Sequence, residues 1–427
     1  MTTSNGTGPD RPLLHGVCAA MSSPFDDSGE SVDEGRLRDH VESLVEAGVH
    51  GLVLAAGTGE FAFLSAAEKD HIFRVGIDQV ADRIPVICQT SAITSVDAIE
   101  NSRAAIDLGA SAVMGLPPYF EGPSERGVLY HYEKLARAID APIVLYNIPA
   151  QSGFDITPDL YRRLIAMENI DYIKDSTGDL IRLPQLQGIG GHVLAGAAPL
   201  APFALMAGSA GWIWGAANVM PHECVALYDH ITAGRHAEAM ALWRRMLPAN
   251  LYFWDNPHEA EYNSAVKTAA NMVGRTVGPC RRPVLPMTHQ GRVALQAALS
   301  TLPVNGVHRD RLVFREWEDE RDWLVQMTDH AGVGRARPKG TARCPSTSPT
   351  RPLWPRPLIH PPGPSSAAAA WRQPPGRPSP PSTRPLVVSW PRWPRATPTT
   401  WTVPSPQPVP PSRRGPGGGW PLSTGRC

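Results

Sequence analysis

The sequence predicts an α/β chain built on a (β/α)8 barrel of the TIM type, and three observations point to it. Between residues 13 and 233, short apolar runs alternate with stretches whose apolar residues recur at helical spacing. Eight runs and eight such stretches fit into about 220 residues, the count a closed barrel needs. The rival doubly wound sheet usually has fewer strands and a Gly-rich dinucleotide turn, and no such turn occurs in that context.

The strands are expected over Gly16–Ala20, Gly51–Ala55, Pro85–Cys88, Ala112–Leu116, Ile143–Tyr146, Tyr172–Lys174, Val193–Ala195 and Gly211–Trp214. The first helix is expected over Val32–Ala47, where Leu37, Val41, Leu44 and Val45 share one face. Further helical patterns cover Ala66–Val80, Ser95–Leu108, Glu125–Ile139, Pro158–Ala166, Leu180–Gln187, Leu200–Ala207 and Pro221–Ala233. Thr157 before Pro158 places a capping hydroxyl ahead of a first-turn proline. Gly48 and Gly109 follow helices as C-terminal stops. Trp212 and Trp214 alternate along the last strand and read as barrel packing.

Beyond the eighth unit, Ala237–Leu251, Pro257–Val273 and Gln290–Leu302 are helical, so residues 234–302 form a small C-terminal helical appendage. Residues 1–12 read as a flexible N-terminus. Residues 303–427 read as a low-complexity, disordered tail rich in Pro, Arg, Ser and Trp in its larger part, without apolar periodicity.

The formal net charge of zero hides an asymmetry. Residues 331–427 hold thirteen Arg, one Lys and no Asp or Glu, so the first 330 residues carry a balancing charge of −14. An acidic body argues against nucleic acid as its partner. The six cysteines are scattered without metal or redox spacing, which suits a reduced cytoplasm. His131, His222 and His258 show no paired spacing, so no metal site is expected. No apolar run reaches the roughly 20 residues of a membrane span, and residues 1–12 lack an apolar signal core, so a cytoplasmic protein without membrane contact is expected.

Lysine is rare here. Of the five, Lys69, Lys134 and Lys267 fall in helical patterns and Lys339 in the tail; Lys174 alone ends a strand-like run. A lysine in a partly apolar site has a depressed pKa, and its amine can attack a ketone to form a Schiff base. In such a barrel the reacting groups project from the C-terminal strand ends. Tyr146 ends strand five; Thr58 and Glu60 lie in the turn after strand two; Ser22 and Ser23 follow strand one, and Asn218 follows strand eight. A lysine nucleophile, a phenol for proton transfer and a turn offering backbone N–H groups to a carboxylate suit a 2-keto acid. Glu60 reads as a loop tie through hydrogen bonds.

Four stretches in this order carry a family resemblance: Gly57-Thr58-Gly59-Glu60, Pro117-Pro118-Tyr119, Tyr146-Asn147-Ile148-Pro149 and Lys174-Asp175-Ser176-Thr177-Gly178-Asp179, with Arg282-Pro283 late in the body. Over residues 12–302 the chain resembles the dihydrodipicolinate synthase / N-acetylneuraminate lyase family of Schiff-base aldolases. The resemblance implies that Lys174 forms the imine and Tyr146 shuttles protons, with no metal or organic cofactor. It implies that Thr58 and neighbouring backbone N–H groups, Gly57 among them, hold the substrate carboxylate, and that the protein assembles as a homotetramer, a dimer of dimers. Ser22, Ser23, Ser176, Gly196 and Asn218 complete the expected substrate contacts.

Departures from the family's branches are specific. Gly57 stands where the synthase branch has a second hydroxyl residue, and Phe120 where that branch has a relay tyrosine. Ala150-Gln151-Ser152-Gly153 lacks the synthase arginine, and Gly196-Ala197-Ala198-Pro199 lacks the acidic residues of the sialic-acid lyases. The turn Ala55–Phe61 and Leu116–Tyr119 resemble the sugar-acid dehydratases instead. The expected activity is therefore aldol condensation or cleavage on pyruvate or a 2-keto acid, with two alternatives: dehydration of a 2-keto-3-deoxy sugar acid such as 5-dehydro-4-deoxyglucarate, or a catalytically idle barrel with a binding or regulatory role.

Overall fold

In the computed structural model, the described residues are 12–255, 257 and 261–302. The expectations for the N-terminal stretch and for the tail 303–427 lie outside them. Eight parallel strands close into a barrel in chain order: β1 (Gly16–Ala20), β2 (Gly51–Leu54), β3 (Val86–Gln89), β4 (Ala112–Gly115), β5 (Ile143–Asn147), β6 (Ile170–Asp175), β7 (His192–Ala195) and β8 (Gly211–Trp214). The last strand pairs with the first through Val17 opposite Trp212 and Cys18 opposite Ile213.

The strands read as apolar runs because both faces are covered. Alternate residues sort into two clusters. Cys18, Val53, Ile87, Met114, Val144, Leu194 and Ile213 fill the barrel interior. Val17, Leu52, Val86, Val113, Leu145, Val193 and Trp212 pack outward beneath the helices. Trp214 also faces outward, 6.0 Å from the Trp243 ring, so the two strand tryptophans are packing residues as expected.

Around the barrel run α1 (Glu34–Glu46), α2 (Ala66–Val80), α3 (Ser95–Asp107), α4 (Glu125–Ala136), a single-turn α5 (Pro149–Ser152), α6 (Pro158–Leu164), α7 (Arg182–Ile189), α8 (Ala201–Met206) and α9 (Pro221–Thr232). Their starts are set by capping side chains that accept from backbone N–H groups: Asp33, Ser65, Thr94, Ser124 and Thr157. Ser65 and Glu68 form a full capping box. Gly48 and Gly109 adopt the left-handed backbone of helix stops. Differences from the expected bounds are local. β2 stops before Ala55 because that residue turns left-handed, with φ of 46°, and β6 begins two residues earlier than the apolar run suggests, at Ile170.

The appendage comprises α10 (His236–Asp255), α11 (Tyr262–Met272) and α12 (His289–Leu299). α11 begins five residues later than expected from Pro257. It runs beside the short turn Gly215–Asn218 that follows β8, and so reaches the mouth of the barrel. There Lys267 meets Glu60 at 2.6 Å, with side chains 2% and 0% exposed. The contact is an ion pair rather than an aligned hydrogen bond. Glu60 Oε2 accepts from the Arg281 backbone N–H at 2.9 Å, and Lys267 donates to the Pro279 carbonyl at 2.9 Å over the Phe25 ring. Among the described residues no helix is long and apolar enough to cross a membrane.

Removing one partner of a buried ion pair strands the other charge. Lys267→Met is therefore expected to lower stability by about 3–5 kcal/mol, read as a lower urea midpoint. Adding Glu60→Gln should recover most of the loss, because the stranded carboxylate is gone.

Candidate active site

The site begins with the pairing of β5 and β6. Tyr146 lies opposite Lys174, and Asn147 opposite Asp175. Tyr146 shares its strand face with the interior residue Val144, and Lys174 shares its face with Tyr172. Strand alternation therefore turns both side chains into the barrel, one residue before each strand ends. The Lys174 ammonium nitrogen sits 4.0 Å from the centre of the Tyr146 ring. Both residues are buried, at 5% and 6% exposure.

The same alternation sends Asp175 to the other face. Its carboxylate accepts from Asn147 Nδ2 at 2.9 Å and from the Thr177 hydroxyl at 2.6 Å. Asn147 also donates to Asp155, which the Arg182 guanidinium grips through both nitrogens at 2.6 and 2.8 Å. That pairing holds Asp155 below the usual carboxylate range, while burial raises Asp175. The network ties the ends of β5 and β6 together and uses up the nearby carboxylates. Among the described residues, none forms an ion pair with Lys174.

Uncompensated burial decides the state of the amine. Desolvation lowers the Lys174 pKa to about 7, so a large fraction is neutral and nucleophilic at physiological pH. Burial pushes the Tyr146 phenol up to about 12, only partly offset by Ser176, so it keeps its proton. Ser176 Oγ stands near that phenol but outside hydrogen-bonding geometry, and it is buried without a partner.

Other expected residues take graded positions. Gly57 borders the phenol: a Cβ there would lie 3.7 Å from Tyr146 Oη. Thr58 is buried, and its hydroxyl lies 3.4 Å from Tyr262 Oη. Gly196 is pressed against the lysine; a Cβ there would collide with Ser176 Oγ and lie 3.0 Å from Lys174 Cε. Ser22 Oγ is buried and unpartnered. Ser23 and Asn218 are engaged elsewhere. Ser23 donates to the Gly59 carbonyl at 2.7 Å. Asn218 donates to the Ala20 and Gly215 carbonyls and accepts from Ser22 N and His40 Nε2, which leaves its amide no free donor. Glu60 ties the loop, through Lys267 and Arg281.

Sequence reasoning missed Tyr262 and Asn263. Both start α11, and Asn263 donates to the Gly57 carbonyl at 3.1 Å. A strand-end search does not find them, because they belong to the appendage. Phe61, Tyr119 and Ile148 pack over the interior cluster at the mouth, and Phe61 meets Tyr119 edge to face at 6.0 Å. Phe120 stands 87% exposed. Among the described residues, no three His, Cys, Asp or Glu side chains gather as a metal site.

Fold and site together define a parallel barrel that presents a desolvated amine beside a buried phenol at neighbouring strand ends. Residues 13–302 match the dihydrodipicolinate synthetase family, and the chain belongs to it. It is 33% identical over 296 residues to the 4-hydroxy-tetrahydrodipicolinate synthase of Methanothrix thermoacetophila, covering 68% of this chain and 97% of that protein. The fold is similar to dihydrodipicolinate synthase DapA-2 of Bacillus anthracis, at a TM-score of 0.65 and 30% identity over 69% of this chain and all of that one. The chloride-inhibited, pyruvate-complexed dihydrodipicolinate synthase of Acinetobacter baumannii matches at a TM-score of 0.63 and 30% identity, over 68% of this chain and 99% of that one.

Two expectations follow. Only the neutral amine attacks, so the rate of adduct formation with a keto acid should rise with pH and level off above about 7, rather than climb towards the ordinary lysine range near 10.4; a quenched pH series reads this. Gly196→Ala should cut that rate by at least about tenfold, because Lys174 and Ser176 must shift, while circular dichroism shows the fold kept.

Proposed function

We propose that the protein is a Schiff-base lyase acting on pyruvate or another 2-keto acid. The observation that carries this reading is the Lys174 nitrogen, desolvated by burial and without an ion-pair partner among the described residues, 4.0 Å from the Tyr146 ring centre. The amine adds to the keto carbon and forms a C–N bond. One N–H proton of the adduct passes to the former carbonyl oxygen, Tyr146 gives that oxygen its second proton, and the C–O bond breaks as water leaves. The resulting protonated imine draws electrons from the neighbouring carbon, which gives a proton to the Tyr146 phenolate and becomes a nucleophilic enamine. Attack on an aldehyde makes a carbon–carbon bond; the reverse cleaves one. Hydrolysis of the imine returns the lysine.

The lysine itself supplies the electron sink, so the reaction as drawn calls for neither metal nor organic cofactor. The backbone N–H groups of the Gly57–Thr58 turn, with the Thr58 hydroxyl, are the proposed cradle for the carboxylate. Ser176, Ser22 and the opening kept by Gly196 are proposed to border the substrate. Ser23 and Asn218, whose polar atoms are spent on the backbone, are proposed to hold the loops. Relatives crystallised with pyruvate, including a prophage protein of this family from E. coli K12 at 27% identity and a TM-score of 0.65, support the keto-acid assignment. A cytoplasmic homotetramer is the proposed working form, with residues 13–233 as barrel and 234–302 as appendage.

A second reading shares the imine: loss of water from a 2-keto-3-deoxy sugar acid. The unpartnered Ser176 hydroxyl favours it, since it offers a buried hydrogen bond to a hydroxylated chain.

Borohydride in the presence of pyruvate should fix one reduced pyruvate adduct on Lys174, found by peptide mass mapping. Lys174→Ala should abolish it, and Tyr146→Phe should slow it by about 10²–10⁴-fold. An unmodified Lys174 under saturating pyruvate would mean an idle barrel. A panel of aspartate semialdehyde with pyruvate, sialic acid and 2-keto sugar acids then separates condensation, cleavage and dehydration.

A further inference from the structure

Gln89 is the last residue of β3, and the reaction drawn above does not use it. Its strand neighbours fix its direction. Ile87 lies in the barrel interior and Cys88 in the outer layer, so alternation turns Gln89 inward. The pairing agrees: Gln89 stands opposite Met114 of β4, and Met114 opposite Val144 of β5, both interior residues. In a closed barrel of this kind, side chains at one level come from alternate strands, displaced from strict register by the stagger of the strands. Paired positions here step towards the N-terminal end as strand number rises. The β5 residue level with Gln89 is therefore Tyr146, the next interior position beyond Val144. The carboxamide sits at the depth of the phenol, on the wall that faces Lys174 of β6 across the cylinder.

Gln89 is 2% exposed, deeper than the partly buried rim aromatics Phe61 and Tyr119. Its Nε2 donates to Ser91 Oγ at 2.8 Å, and the same oxygen accepts from the Leu116 backbone N–H at 2.7 Å. Gln89 Oε1 is buried and, among the described residues, has no partner. The amide can also turn over and take the Ser91 hydroxyl proton on Oε1; its NH2 is then the end without a partner. In either orientation Ser91 serves one end only. An unpaired amide end in a barrel interior is destabilising, and an apolar side chain such as Ile87 or Met114 escapes that penalty. An alcohol donates and accepts, so a hydroxyl on a bound molecule suits the free end whichever atom it is. On the β6 side, Ser176 Oγ is a second buried polar atom without a partner.

We propose that Gln89 is a specificity residue: its carboxamide, anchored by Ser91, hydrogen-bonds a chain hydroxyl of a hydroxylated 2-keto acid joined to Lys174. The proposal rests on the Schiff-base reading and deepens it, because it names the substrate class as a keto acid with a hydroxylated chain. The keto carbon is held on the β6 side and the chain crosses towards β3. The amide thus meets a part of the substrate that pyruvate lacks, and its contribution shows as selection between chains with and without hydroxyls.

The test uses the full chain, borohydride and two keto acids: 2-keto-3-deoxygluconate, and 2-oxohexanoate, which has the same chain without its hydroxyls. Peptide mass mapping counts the adduct on Lys174, intact or already cleaved to its pyruvate part. The trapping efficiency, limiting rate over half-saturation, is taken for each acid. Gln89→Met keeps the length of the side chain and is expected to lower the ratio of the two efficiencies, hydroxylated over plain, about tenfold. Ser91→Ala removes the anchor and is expected to lower the same ratio about threefold. An unchanged ratio in Gln89→Met, with both acids slowed alike or neither slowed, overturns the proposal. So does an unaltered protein that traps pyruvate but gives no adduct from 2-keto-3-deoxygluconate. Should Gln89→Met not fold, an unchanged ratio in Ser91→Ala overturns it. Absence of any adduct with pyruvate in the unaltered protein sinks the Schiff-base reading and the proposal with it, a result distinct from a pyruvate adduct whose selectivity ignores Gln89.

Discussion

A lysine nitrogen held out of water and, among the described residues, without a counter-ion is the constraint around which this molecule is arranged. Lowering its pKa from 10.5 to about 7 corresponds to roughly 5 kcal/mol of penalty against the charged form. A surface lysine escapes that penalty by reaching into solvent. Lys174 does not, because strand alternation turns it into a cylinder lined by Val144, Leu194 and Ile213. Nor does a carboxylate neutralise it: Asp175, its chain neighbour, faces the opposite way and is occupied by Asn147 and Thr177. The lowered pKa of the amine is thus a property of the barrel, and the packing of the eight strands supports the energetic cost.

The closed topology explains why so few residues suffice. Parallel strands deliver all their C-terminal ends to one rim. Groups far apart in sequence, such as Thr58 and Lys174, are brought to one cavity without any local motif joining them. The rim is uneven. On the β5–β6 side it is rigidly cross-linked through Asn147, Asp155, Asp175 and Arg182. On the β2–β4 side it is apolar, with Phe61 against Tyr119. The buried amine lies on the cross-linked side, and the opposite wall is lined by aromatic side chains.

Much of this was legible in the sequence, for physical reasons. Strands buried on both faces declare themselves as apolar runs, so all eight were placed within a few residues. Lys174 stood out as the one lysine that ends such a run, the others falling in helical patterns or in the tail. Capping residues such as Ser65 and Thr157 marked helix starts through their own chemistry. What could not be read was the partner of each polar group. Asn218 follows a strand just as Tyr146 ends one, yet it is used up between the Ala20 carbonyl and His40, a matter of three-dimensional neighbours rather than residue type. Tyr262 and Asn263 were invisible because they lie on a helix outside the strand–helix repeat, where only the closed structure carries them to the rim.

The appendage consequently borders the candidate site. One helix, α11, engages three of the four residues of the turn after β2: Asn263 binds the Gly57 carbonyl, Tyr262 meets the Thr58 hydroxyl, and Lys267 pairs with Glu60. That turn needs such support. Glu60 itself adopts a left-handed backbone, with φ of 60°, a conformation that disfavours a side chain with a Cβ. A buried ion pair that also takes up the Arg281 N–H holds it there. The backbone N–H groups proposed to hold a carboxylate are therefore pre-set by contacts made some 200 residues away along the chain. Preorganised donors of this kind need no rearrangement when charge arrives, and their precision depends on helix α11 as much as on strand β2.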